Sequence, residues 1–193
     1  IANTNAAFEP ELDYVIAKLP RFPFDKFTSA SNVLGTQMKA TGEIMGIGSN
    51  LEEALLKGIR SLENGASHIF INKFAEYTKE ELRDYIAKFR DDNLFAIAQL
   101  LKLGETVAEI HKVTGITAYF LEAIQRIVEM DTALSQKPWN EETLRRAKEM
   151  GFGDKRIAQL WNCTELQLSD FRKEKGIVPA FRMVDTCHTG AYI

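Results

Sequence analysis

From about residue 78 to residue 175 the chain repeats one local pattern: a capping residue, two or three turns of apolar residues at helical spacing, a short break, and another cap. Thr78 stands three residues before Glu81, ahead of Leu82, Tyr85, Ile86 and Phe89. That spacing forms a capping box, which satisfies donors that a helix start leaves open. Asp92 or Asn93 can cap the next segment, whose Leu94, Phe95, Ile97, Ala98, Leu100, Leu101 and Leu103 are apolar on nearly every side, with Gly104 as its stop. A helix of that kind is buried among others. Further helices are expected near 105–114, 117–134, 140–150, 154–161 and 164–175, with Thr117, Asn140, Asp154 and Thr164 among the caps. Connections this short favour a compact bundle of short helices. The expected fold class is therefore mainly α.

One internal echo is visible. Ile110, Val113, Thr117, Leu121 and Ile124 match Ile157, Leu160, Thr164, Leu168 and Phe171 at a constant offset of 47. Each set reads as a helix, a tight turn and a second helix capped by threonine, which suggests two similar helix pairs.

The first third has a different texture. Leu12 to Leu19 alternates loosely and contains Val15, Ile16 and Tyr14, which suits a strand; Pro20 and Pro23 should end it, since neither can donate to a ladder. Gly42 to Gly48 reads as a second strand, whose Gly42, Gly46 and Gly48 would let another backbone pass close by. A helix follows, with Ser49 and Glu52 as a capping box, Leu51, Leu55 and Ile59 on one face, a Glu53–Lys57 pair, and Asn64-Gly65 as the stop. Two strands and one helix cannot close a core, so residues 12–63 read as an incomplete α/β segment. After Gly176 the run Ile177 to Val184 is apolar and extended around Pro179, as if leaving the helical part.

Composition excludes several functions. The 24 basic and 27 acidic residues leave a net charge of -3, which disfavours a generic polyanion binder. Leu94 to Leu101, the densest apolar run, is interrupted by Gln99, and a bilayer-spanning helix needs about 20 apolar residues. No membrane partner is expected. Ile1 to Ala7 has no basic cluster ahead of an apolar stretch, and an opening of Ile-Ala-Asn-Thr reads as a cut from something longer. Cys163 and Cys187 lack metal or disulfide-framework spacing and read as reduced thiols of a cytoplasmic protein. His68, His111 and His188 form no metal-binding motif. Gly46-Ile47-Gly48 ahead of a helix lacks the third glycine and the acidic residue of a dinucleotide turn.

Residues 154–175 have the profile of a helix-turn-helix, which would place Glu165, Gln167, Ser169, Asp170, Arg172, Lys173 and Lys175 outward. Glu165 and Asp170 would then face phosphates near the reading end, so a packing role is the better reading and a nucleic acid partner is disfavoured. Met150, Phe152 and Trp161 read as core. Trp139 reads as half-buried, with an interface as the other option. Phe70, Phe74 and Tyr77 stand where they can fasten the two parts of the chain together.

Several long strings together resemble a known family. They are Phe8 to Phe22 (FEPELDYVIAKLPRF), Thr36 to Gly48 (TQMKATGEIMGIG), Ala147 to Ala158 (AKEMGFGDKRIA) and Val184-Asp185-Thr186-Cys187. In order and content they resemble the large chain of carbamoyl phosphate synthetase. The resemblance implies that residues 1–64 end the first ATP-grasp half, where carboxyphosphate forms. It makes 65–176 the all-helical connection or oligomerization domain, and 177–193 an extended passage towards the second half. The parent would be a ligase of arginine or pyrimidine biosynthesis. It forms carbamoyl phosphate from bicarbonate and glutamine-derived ammonia with ATP and magnesium or manganese, alongside a glutaminase small chain. The family's nucleotide loops and magnesium-holding residues lie upstream of Phe8, so the resemblance implies no catalytic, cofactor-binding or metal residue here, no cofactor, and no turnover by this piece alone. Arg21, Lys39 and Glu43 would border the missing site, chiefly in structural roles. Self-association and contact with the remainder of the large chain are the implied partnerships. The chain departs from the family at Ser49, where a basic residue is usual, and at His188-Thr189-Gly190, where the family continues Ala-Ala-Glu-Phe.

Overall fold

In a computed structural model, residues 12–181 and Val184 are described; Phe8 to Glu11 of the first family string, Cys187 and His188 lie outside them. Among the described residues there are two strands, β1 (Val15–Arg21) and β2 (Gly42–Gly48), and eight helices. These are α1 (Leu51–Ser61), α2 (Lys79–Ile86), α3 (Asn93–Lys102), α4 (Val107–Thr114), α5 (Ala118–Gln136), α6 (Glu141–Glu149), α7 (Asp154–Trp161) and α8 (Glu165–Glu174). The protein is mainly α, as the capping pattern implies.

The strands pair antiparallel, Val15 opposite Gly48 and Arg21 opposite Gly42. Pro20 lies inside β1 instead of ending it, facing Glu43. A two-stranded sheet leaves one side of each strand open, and an edge position tolerates a missing donor. Pro23 begins a 3-10 turn instead. Leu19 is buried and Gly46 and Gly48 turn inward, so one face of the hairpin lies on α1.

The start of α1 corrects the expected cap. Asn50, not Ser49, is the N-cap and accepts from the Glu53 amide at 2.8 Å. Glu53 reaches back to the Ser49 amide and hydroxyl at 2.7 and 2.9 Å, and it also pairs with Lys57 at 2.8 Å. Glu52 is thereby left for a partner elsewhere, Arg126 of α5.

Helix α5, nineteen residues long, is the spine: it packs against α1, α3, α4, α6 and α7. Leu121, Ile127 and Leu134 on its inner face are fully buried. The loop between β1 and β2 is tied to the bundle as well, by Leu34 N–H to the Phe89 carbonyl at 2.6 Å and by Asn32 to Asp91 at 3.1 Å.

The echo at offset 47 is larger than its sequence trace. Helices α4 and α7 superpose residue for residue in numbering, 107–114 on 154–161, and α5 and α8 begin at equivalent positions. Ile110 and Ile157 are both buried, as are Leu121 and Leu168. The turns match too: Gly115 and Asn162 both close their helices in the left-handed region, at φ 71° and 51°. One helix earlier, Gly104 and Gly151 have φ 83° and 84°, after α3 and α6. The repeat is therefore a three-helix unit, α3–α4–α5 followed by α6–α7–α8. The caps have diverged: Thr164 makes a full capping box with Gln167, whereas the Thr117 side chain makes no cap bond.

Candidate interaction surface

Arg21, Lys39 and Glu43, the residues singled out through the resemblance, each engage a local partner. Lys39 donates to the carbonyls of Ser31 and Val33 at 2.9 and 2.6 Å and so anchors the long loop. Glu43 pairs across the hairpin with Lys18 at 2.8 Å, an exposed pair that contributes little stability. Arg21 donates to the Phe22 carbonyl. Among the described residues no three or more His, Cys, Asp or Glu side chains are placed to hold a metal ion. Burial pushes the Cys163 thiol up, away from a reactive thiolate.

Most polar side chains of the interior serve the joints between elements. Asp131 on α5 is 2% exposed and takes both arms of the Arg156 guanidinium at 2.7 and 2.8 Å. Arg60 on α1 donates to the Gly151 carbonyl at 2.7 Å, and Gly151 itself lies against the Glu53 backbone. Lys148 and Arg172 both pair with Asp154, which is the first residue of α7 and not its cap. Phe70 carries Lys102 and Arg156 over its ring, centroid distances 4.6 and 5.4 Å. Phe74 and Tyr77 meet Tyr85 edge to face, while the Tyr85 hydroxyl accepts from Lys73 at 2.7 Å and donates to Asp92 at 2.8 Å. Phe70, Phe74 and Tyr77 thus tie the segment before α2 to the helices, with no ring contact from them to the hairpin or α1 among the described residues.

His68 is the exception among these buried groups. Its ring lies between Phe70 and Phe152, is 2% exposed, and neither nitrogen has a partner. Burial, and then the nearby Arg156, Arg60 and Lys102 charges, push its pKa down to about 3. It is a neutral packing residue held beside cations.

The outward face of α8 suits phosphate poorly. Glu165, Asp170 and Glu174 are exposed there with Lys173, while Arg172 is drawn inward to Asp154 and Lys175 pairs with Glu174 at 2.9 Å. Trp139 is half-buried, φ 60°, with its ring 5.1 Å from Trp161 and 5.3 Å from Phe171. Trp161 donates to the Leu134 carbonyl at 2.8 Å and belongs to the core, as do Phe152 and, at its edge, Met150.

The helical part also leaves some apolar side chains open. Tyr119 and Phe120 at the start of α5 are 59% and 51% exposed, their rings 5.4 Å apart, and Val113 at the end of α4 is exposed beside that turn in sequence. Their signal was legible: Leu121 and Ile124 define the inner face of α5, which turns 119, 120 and 122 outward. No helix among the described residues is long and apolar enough to cross a membrane.

Fold and surface together define a helical module built by repetition, whose interior polar groups, His68 aside, mostly serve joints and which leaves some apolar side chains facing outward. The chain belongs to the carbamoyl-phosphate synthetase large chain family: the model of that family's oligomerisation domain matches residues 43–176, well over half of the chain.

Proposed function

We propose that this chain is the connecting and oligomerising region of a carbamoyl-phosphate synthetase large chain, contributing contacts and spacing but no chemistry of its own. The family match over 43–176 carries the reading. In it, residues 1–64 end the first ATP-grasp half, 65–176 form the connection domain, and 177–193 lead towards the second half. The parent is a cytoplasmic ATP-dependent ligase of arginine or pyrimidine biosynthesis, making carbamoyl phosphate from bicarbonate and ammonia released by a glutaminase chain.

Helix α1 is the joint of this arrangement. It carries the hairpin on one side and is tied on the other by Glu52 to Arg126 and by Arg60 to the Gly151 carbonyl. A sheet fixed to a helical bundle in this way supports a spacer that holds its neighbours in a set relation.

In this reading the piece holds neither ATP nor its magnesium or manganese ions. Phosphoryl transfer needs convergent cations and metal-holding carboxylates, whereas Arg21, Lys39 and Glu43 each engage a different local partner. Titration calorimetry with ATP and magnesium is expected to show no saturable binding. A tight, one-to-one isotherm would overturn the assignment.

A further inference from the structure

We propose that the Tyr119–Phe120 ledge at the α4–α5 turn is the surface through which two copies of this chain meet, an inference that rests on the oligomerising role above. Three observations favour it over Trp139, the hairpin side chains and Phe89. Tyr119 and Phe120 are in mutual contact and more than half exposed, and rigid aromatic pairs of this kind form the centres of protein interfaces. Trp139, by contrast, already packs its ring against Trp161 and Phe171 and keeps 42% of its surface open, and Ile16, Met45 and Ile47 belong to the hairpin on the side assigned to the first ATP-grasp half. Phe89 is exposed without an exposed aromatic next to it in sequence.

The charges that flank the ledge in sequence favour a second copy as the occupant. Lys112 near the end of α4 and Glu122 one turn beyond Tyr119 are both exposed and of opposite sign. A two-fold contact sets each patch against itself, so a residue meets its opposite number's neighbour. A rim holding both signs complements itself, whereas a strongly charged partner would select a rim of one sign. The repeat adds a second contact point. Leu166, offset by 47 from Tyr119 at the same place on α8, is 69% exposed. Each three-helix unit thus offers a large apolar side chain where its last helix begins, Tyr119 with Phe120 in the first and Leu166 in the second.

The test is sedimentation velocity of the full chain over a wide concentration range, comparing wild type, Tyr119→Ser combined with Phe120→Ser, and Phe89→Ser. All three positions are exposed, and thermal melting verifies that each variant folds. Wild type is expected to self-associate, the double variant to do so roughly tenfold more weakly or not at all, and Phe89→Ser to match wild type. If wild type associates and the double variant does so equally well, the ledge is not the interface while the oligomerising role stands. If wild type remains a monomer throughout, both the ledge and that role are overturned. A second probe is Tyr119→Cys with Cys163→Ser and Cys187→Ser. It should give a covalent dimer on mild oxidation, and its failure to do so while the chain associates places the contact elsewhere.

Discussion

Replacing Gly46 with valine is expected to lower the thermal midpoint by roughly 6–12 °C, the equivalent of about 3 kcal/mol. The cause lies in how β2 crosses α1. A Cβ at position 46 would sit 2.0 Å from the Ala54 carbonyl oxygen and 2.7 Å from the Gly58 amide nitrogen. Both are helix backbone atoms, which cannot rotate away as a side chain would. The hairpin must lift from α1, which strips cover from Leu19 and Leu56. Gly42 in the same strand supplies the control, because a Cβ there meets nothing within 4 Å. Gly42→Val should leave the midpoint within a degree or two or raise it slightly, since valine suits a strand. Melting curves of the two variants decide the point; a Gly46→Val protein that melts like wild type would show that the strand does not approach the helix so closely.

The second large effect is a loss of stability in acid set by His68. In the folded chain its pKa is about 3 against an ordinary value of 6.5, so the unfolded chain binds a proton that the folded chain refuses. The resulting stability is fully present above about pH 6.5, declines as pH falls from there towards 3, and reaches a loss of order 4 kcal/mol at the lower end. Beyond burial, the charges of Arg156 on α7, Arg60 on α1 and Lys102 on α3 all oppose protonation. Burial raises the Glu53 carboxyl but Lys57 and Ser49 more than offset it and hold it below its ordinary value, so its contribution is lost only below the ordinary carboxylate range, which leaves pH 6.5 to 5 as the window where histidine dominates. Urea unfolding at several pH values should show wild-type stability sloping through that window and a His68→Leu variant nearly flat. Leucine also removes two unpaired buried nitrogens, so the variant should be no less stable than wild type at pH 5. A wild-type curve flat from 6.5 to 5 would mean that the ring is solvated or paired.

Most of the helical fold was legible because its signals are local. Thr78 with Glu81, Asn140 with Thr143, and Thr164 with Gln167 act within one turn. The start of α1 was misread by one residue because Ser49-Asn50 and Glu52-Glu53 offer two registers of equal chemistry. The choice is made from outside, by Arg126 reaching Glu52 and by the Asn50 side chain donating to the Glu149 carbonyl. Pro20 was misplaced for a similar reason, since a proline ends a central strand but not one with an open side. The repeat was seen only in its second and third helices. In the first helices, α3 is apolar on nearly every face whereas α6 carries Glu141, Glu142, Arg145, Arg146, Lys148 and Glu149. Residue identity has diverged there while the left-handed turns at Gly104 and Gly151 persist. His68 left no trace in any pattern, because a ring buried against Phe70 and against Phe152, far along the chain, is a tertiary fact.

The most direct test of an association module is the molar mass of the intact chain in solution, measured by light scattering as concentration rises. A mass climbing from 21.8 kDa to twice that value or more is the predicted result. A mass that stays at that of one chain up to the highest attainable concentration would contradict it.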